Sequence, residues 1–346
     1  MIDSARFTSL VDARLAQVIE RERGYYGNLD PLVGDMFAEL SRLVNAGGKR
    51  TRPEFAHLGW VAAGGEPHAA TAVNIGAAFE LLHVSALVHD DVIDGAASRR
   101  GSATTHVRVG ERHGHLGWAG EQRRIAEGAA VLTGNIAFAM ADAALGDVNA
   151  EARKQWTRVR TEVNIGQYMD LLGSAARVRS ADHAMRVMAM KTAKYTVERP
   201  LRMGAAATGT TDVSLVGALG LFGELLGIAF QLRDDVLGVF GDPKVTGKPV
   251  GDDLREGKST LLVARALEWA DPAQREILAR IGNPSLSDTD IADLQDVIRQ
   301  TGALENVENE ITGFRDKALG ALTGTLDGPV LGELESVAGR VTARVS

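Results

Sequence analysis

A long, mainly apolar run from Val73 to Val88 closes on His89-Asp90-Asp91-Val92-Ile93-Asp94. As a helix, this run places Asp90 and Asp94 one turn apart on one face, with about 6 Å of rise between them. A second run, Leu215 to Leu232, ends the same way, on Arg233-Asp234-Asp235. Gly217, Gly220, Gly223 and Gly227 recur along it at near-helical spacing. That spacing suits close helix packing at least as well as insertion in lipid, and Glu224 interrupts the apolar stretch. Two such runs are expected to be buried helices with carboxylates at their ends, in an all-α bundle.

The rest of the chain reads as helices too. Apolar residues recur at three and four positions from Phe7 to Ile19 and from Leu32 to Val44, until Asn45-Ala46-Gly47-Gly48 interrupts the pattern. Pro53 suits the first turn of a helix covering Glu54 to Ala63, and Gly64-Gly65-Glu66-Pro67 is a turn. From Gly95 to Gln122 periodicity fails, so a long loop with a short helix at most is expected there. Helical spacing returns over Ala126–Leu145, Glu151–Leu172 and Ala181–Ala207, with Gly204 and Gly209 marking the far end. Gly241 to Asp253 holds two Pro and three Gly and must be a loop. Helices are expected again near Leu261–Glu268, Ile291–Arg299, Ala303–Leu322 and Val330–Val345. Strand signals are nearly absent, and no linker, low-complexity tract or repeat divides the chain. One domain spanning residues 1–346 is expected.

Composition narrows the function classes. A formal net charge of -7 argues against a nucleic-acid binder and is compatible with sites that collect cations. The absence of Cys excludes disulfides, thiolate metal sites and a Cys nucleophile. Met1-Ile-Asp-Ser-Ala-Arg has neither the basic segment nor the apolar core of a signal peptide, so a cytoplasmic protein with no stable membrane anchor is expected.

A single acidic helix end is ordinarily a solvated surface feature. Two of them, each closing an apolar helix, are a standard way to build a multi-metal site in a bundle. Carboxylates without Glu-x-x-His pairs suit a hard ion such as Mg²⁺, which takes its remaining ligands from water and substrate phosphates. His83 and His89 are read as hydrogen-bonded structural residues, not metal ligands. A phosphorylated substrate calls for flanking cations, and the chain offers Gly47-Gly48-Lys49-Arg50-Thr51-Arg52-Pro53, Arg99-Arg100-Gly101, Lys191-Thr192, Lys248 and Lys258. The Gly pair lets backbone approach an anion, the helix start offers N–H groups, and Lys49 and Arg52 supply charge-assisted hydrogen bonds.

With these motifs in order, the chain resembles a trans-type isoprenyl diphosphate synthase of the short-chain kind that makes farnesyl or geranylgeranyl diphosphate. The resemblance spans roughly residues 45 to 260. It rests on Gly-Gly-Lys-Arg-x-Arg-Pro, His83, Asp-Asp-x-x-Asp-x-x-x-x-Arg-Arg-Gly, Gly166-Gln-Tyr-x-Asp170, Lys191-Thr192-Ala-x-Tyr195, and Gln231-x-x-Asp-Asp followed by Gly247-Lys and Gly257-Lys. It implies the isoprenoid synthase bundle, with a central cavity between two Asp-bearing helices, and a homodimer. It implies that Lys49, Arg52, His83 and Arg100 hold isopentenyl diphosphate. Asp90, Asp94 and Asp234 would bind Mg²⁺, several ions per site, with Asp91 and Asp235 completing the acidic pairs. Arg99, Lys191, Thr192, Gln231, Lys248 and Lys258 would hold the allylic diphosphate, and Gln167 would bind substrate. The implied reaction is ionisation of the allylic diphosphate, attack of the isopentenyl double bond on the cation, and loss of a proton to departing pyrophosphate.

Two departures from the family pattern matter. Gly238 stands where the second cluster usually carries a third acid, and the first cluster lacks the two-residue insertion of many bacterial and plant relatives. Product length follows from the wall below the acids. In the family, aromatic side chains at the places of Ser85 and Ala86 stop growth at C15, so their absence implies a longer product. Phe79, about 16 Å from Asp90 along the helix, is the expected floor for a C20 chain. A class I terpene cyclase would share the fold and Mg²⁺ but have no use for Lys49 and Arg52, and a non-catalytic partner subunit would be expected to lose acids or cations.

Overall fold

The computed structural model describes residues 3–99, 101–242 and 250–343. They form an all-α fold whose only strands, among the described residues, are the two-residue β1 (Ser98–Arg99) and β2 (Ser102–Ala103). The chain divides into two compact units, Met1–Arg153 with Met203–Thr210, and Lys154–Arg202 with Thr211–Ser346.

The first unit is built on α1 (Ser4–Tyr26), α2 (Pro31–Asn45), α3 (Thr51–Ala62), α4 (Ala70–Ile93), α5 (Thr105–Leu116) and α6 (Gln122–Leu145). Asp3 and Asp30 cap α1 and α2 by accepting from the backbone N–H groups of Arg6 and Leu32. α4 is the centre: it packs most extensively on α6 and also on α1 and α3. Its Ala72, Ile75, Ala77, Ala78, Phe79, Leu81 and Leu82 are almost entirely removed from water. That burial supplies the hydrophobic stabilisation that holds the acidic end in place. Gly76 is required where α4 meets α1, because a side chain there would run into Val11 and Phe7.

The second unit is organised by α10 (Val213–Phe240), which follows α7 (Ala150–Ala175), α8 (Ala181–Met188), a π-helical segment (Ala189–Glu198) and α9 (Arg199–Ala207). The first residues of α7 and the last of α9 belong to the first unit. After α10 come α11 (Asp252–Glu256), α12 (Leu261–Trp269), α13 (Pro272–Leu278), α14 (Asp288–Gln300), α15 (Ala303–Leu322) and α16 (Gly328–Thr342). α10 packs on the π-helical segment and on α15. The glycine stripe of α10 works as expected: side chains at Gly223 and Gly227 would collide with the backbones of Glu198 and Ala193, and one at Gly220 would meet Arg202. Gly217 touches nothing that a side chain would disturb.

Several expectations need correction. Residues 95–122 hold a small hairpin and the twelve-residue helix α5, whose buried contacts are Thr105, Gly110 and His113 rather than an apolar stripe. Gly204 does not end a helix. It lies inside α9, where a side chain would strike the backbone of Ala56 and Trp60. Residues Ala189–Glu198 follow π rather than α geometry, and α13 lies in a stretch with no expected helix. By length and composition α4, α6 and α10 could each cross a membrane, where the sequence suggested only the last.

Candidate active site

The first group of site residues gathers at the C-terminal end of α4. Asp94 is the C-cap residue and exposed, Asp90 is half-buried one turn earlier, and Asp91 points inward at 4% exposure. His89 faces away from the acids. Its ring fills the space that a side chain at Gly134 on α6 would need, and its Nε2 lies 3.2 Å from the Val131 carbonyl oxygen. Gly95, with positive φ, turns the chain after α4 into β1, and Gly101, also with positive φ, precedes the paired β2. Arg99 therefore donates from Nε to Asp91 Oδ1 at 2.5 Å and from Nη2 to Asp90 Oδ2 at 3.1 Å. Burial pushes the Asp91 carboxyl up, opposed by the Arg99 guanidinium, and the neighbouring Asp90 adds to the rise. Burial disfavours the charge on Arg99, but Asp91 and Asp90 hold its pKa above the usual guanidinium value. Arg99, expected to meet the allylic diphosphate, is here the counter-ion of the acidic pair. Arg100 lies outside the described residues.

Lys49 is exposed and Arg52 half-buried at the start of α3, which has no side-chain cap hydrogen bond. His83 lies on α4 and is half-buried. On the same helix Phe79 and Ser85 are buried, at 0% and 1% exposure, and Ala86 is half-buried.

The second group lies in the second unit. On α10, Gln231 accepts from Thr192 Oγ1 and donates from Nε2 to Asp235 Oδ1 at 2.7 Å. Asp235 is buried, and its carboxyl is pushed well above the usual range by that burial. The Gln231 hydrogen bond opposes the shift, and Asp253 and Asp234 reinforce it. Asp234 is exposed on the same turn. Lys191 Nζ meets Asp170 Oδ2 at 2.6 Å. Gly166 on α7 brings this about, since the backbone of Met190 and Lys191 occupies the place of a side chain there. A π-helical turn is a common way to re-aim side chains at a functional site, and here it carries both Lys191 and Thr192. Gln167 is half-buried on α7.

Lys258 follows α11 and pairs with Asp253 at 3.2 Å and with Glu256 at 2.8 Å. The space beside Gly238, where the third acid of the second cluster would begin, is taken by the Asp253 carboxylate. Lys248 lies outside the described residues. Asp170 and Asp253 were not singled out from the sequence as site residues. The first was legible as part of Gly166-Gln-Tyr-x-Asp170, whereas the second follows a loop that carries no periodic signal.

Among the described residues, no three His, Asp or Glu side chains close on one metal position. The donors at each cluster are carboxylate oxygens on a helix end, one exposed and the others partly or fully buried, with His89 turned away. Such a donor set fits Mg²⁺, which takes few protein oxygens and keeps positions for water and phosphate. It does not fit a closed zinc site.

A polyprenyl synthetase family model matches residues 36–300. The chain is 35% identical to a geranylfarnesyl diphosphate synthase of Aeropyrum pernix, over 80% of this chain and 83% of that protein. It is 34% identical to a geranylgeranyl diphosphate synthase of Mycobacterium tuberculosis, over 72% of this chain and 67% of that protein. Among solved structures, it is similar to a geranylgeranyl pyrophosphate synthase from Corynebacterium glutamicum in complex with isoprenyl diphosphate and magnesium. The TM-score is 0.94 at 36% identity, covering 99% of both chains.

Proposed function

The chain belongs to the polyprenyl synthetase family, and from that premise we propose that it condenses isopentenyl diphosphate with allylic diphosphates to give geranylgeranyl diphosphate. It is a trans-isoprenyl diphosphate synthase. The observation that carries the reading is the end of α4: Asp90 and Asp94 stand one turn apart at the end of a buried apolar helix whose last turns carry small Ser85 and Ala86.

Each residue's part follows from its chemistry. Lys49 and Arg52, with His83 and Arg100, bind the diphosphate of isopentenyl diphosphate, orienting its double bond. Lys191, Thr192, Gln167, Gln231, Lys248 and Lys258 bind the allylic diphosphate, and Lys191 is kept in place by Asp170. Asp90, Asp94 and Asp234 are the residues that would hold Mg²⁺, which when bound supplies positive charge to the leaving diphosphate. Arg99, which pairs with Asp91 and Asp90, stands beside the acids to meet the allylic diphosphate. The allylic C–O bond breaks, the isopentenyl double bond attacks the cation, and the proton lost from the new chain goes to pyrophosphate. Fixed cations around the leaving group stabilise the charge that develops there. Buried Phe79 sets the floor and so the C20 length. We further infer that residues 1–346 act as one catalytic domain, and that the enzyme is a cytoplasmic homodimer.

Asp90→Ala tests the assignment. Turnover is expected to fall by at least about a thousandfold while the folded state is retained, as is usual when charge stabilisation of a leaving group is lost. Turnover near the wild-type level from the purified variant would refute it.

A further inference from the structure

The loop that carries Lys49 and Arg52 has an unusual backbone. Arg50 is at φ 48°, one of only two residues other than glycine with positive φ among those described, the other being Arg177. A side chain in the left-handed region is unfavourable and persists only where its surroundings fix it. The surroundings of Arg50 do so. Its guanidinium reaches three helices, donating from Nη1 to Glu80 Oε1 on α4 at 2.5 Å, from Nε to Asp12 Oδ1 on α1 at 3.0 Å, and from Nη2 to the Val44 carbonyl at the end of α2 at 2.9 Å. The Arg50 and Glu80 side chains are buried, at 9% and 7% exposure.

Taking two charges out of water is expensive, and a buried pair is weak support for stability as such. A fork that ties one loop to three helices at fixed geometry instead specifies a conformation. The residue so fixed stands directly after Lys49 and two before Arg52, and it is the N-cap of α3. Glu80 follows Phe79 on α4, the helix whose far end bears Asp90 and Asp94.

We propose that Arg50, held by Glu80 and Asp12, is a positioning residue for isopentenyl diphosphate: it locks the left-handed turn that sets the spacing of Lys49 and Arg52. This rests on the function proposed above. The cost of the strained turn is met within the fold before substrate arrives, so the two cations need not be ordered on binding.

The test compares Arg50→Lys, Arg50→Gly and Glu80→Gln with wild type in steady-state condensation, varying each substrate separately, with calorimetric binding of isopentenyl diphosphate alone as a second readout. Lys keeps the charge but cannot reach three acceptors. Gly relieves the backbone strain but removes the tether. Glu80→Gln leaves the loop sequence untouched. Each is expected to raise KM and the dissociation constant for isopentenyl diphosphate about tenfold. The KM for the allylic substrate and kcat should stay within about twofold. Arg50→Gly is the decisive variant, because a position that only needs its turn accommodated would bind normally with Gly. Normal isopentenyl diphosphate affinity in folded Arg50→Gly, or equal changes in both KM values and kcat for all three variants, would overturn the proposal. A wild-type protein without condensation activity would instead remove the proposed function, and this inference with it.

Discussion

At the scale of single residues, the site is a set of charges whose pairing could be guessed only in part from their order. The Asp90–Asp94 spacing was legible because it is one turn of a regular helix, and the Lys49–Arg52 pair because it stands at a helix start marked by Gly47-Gly48 and Pro53. The tie of Arg99 to Asp91 and Asp90 was not, since it depends on a turn at Gly95 and the hairpin that follows it. Gly238 was legible as a missing acid, but its reason was not: Asp253, from a separate short helix, occupies the space. Restoring the family's acid here should therefore do harm. Gly238→Asp is expected to lower Tm by several degrees, as overpacking beside a buried carboxylate costs about 1–3 kcal/mol, at ~2 °C per kcal/mol in a chain this long, and to leave turnover no higher than wild type. A melting curve and an initial-rate assay check this; a more active, equally stable variant would show that the Asp253 carboxylate does not fill that place.

His57 gives a pH dependence at the same scale. Its ring stacks on Phe7 with centroids 3.9 Å apart, and its Nε2–H donates to the Pro67 carbonyl at 2.7 Å. Burial lowers its pKa from 6.5 to about 4, so the folded chain keeps it neutral where the unfolded chain protonates it. Between those values the unfolded state binds the extra proton, and stability falls as pH drops, by about 1.4 kcal/mol per pH unit. Urea unfolding at pH 7 and pH 5 should show a loss that is smaller in His57→Gln by about 2 kcal/mol. An identical loss in both proteins would mean that His57 does not titrate across this window.

At the scale of elements, helices with clear three-four periodicity were legible nearly to their ends, as α2 and α15 show. What was missed lacks that signal. α5 buries Thr105, Gly110 and His113, so its stripe is not apolar, and the π-helical Ala189–Glu198 is packed closely against glycines on α7 and α10 far away in sequence. Such tertiary causes leave no local trace. α4 is the element that links fold to product. Its buried length is the proposed ruler, with Ser85 and Ala86 near the acids and Phe79 deeper. Ser85→Phe or Ala86→Phe is expected to shift the main product from C20 to C15, with turnover changed less than tenfold, since the charges at the helix end are untouched. Chromatography of the dephosphorylated products decides, and an unchanged spectrum would refute the ruler.

At the scale of the whole molecule, the two acidic helix ends, α4 in one compact unit and α10 in the other, account for most of what the sequence alone says about function. The chemistry proposed above names Asp90, Asp94, Lys49 and Arg52 together with Asp234, Lys191, Thr192 and Lys258. The central claim is that they act in one reaction, chain elongation ending at C20. It is tested most directly by incubating the purified protein with Mg²⁺, radiolabelled isopentenyl diphosphate and each allylic starter in turn, then sizing the labelled products. The account predicts geranylgeranyl diphosphate as the main product from every shorter starter; incorporation that ends at C15, or no incorporation at all, would contradict it.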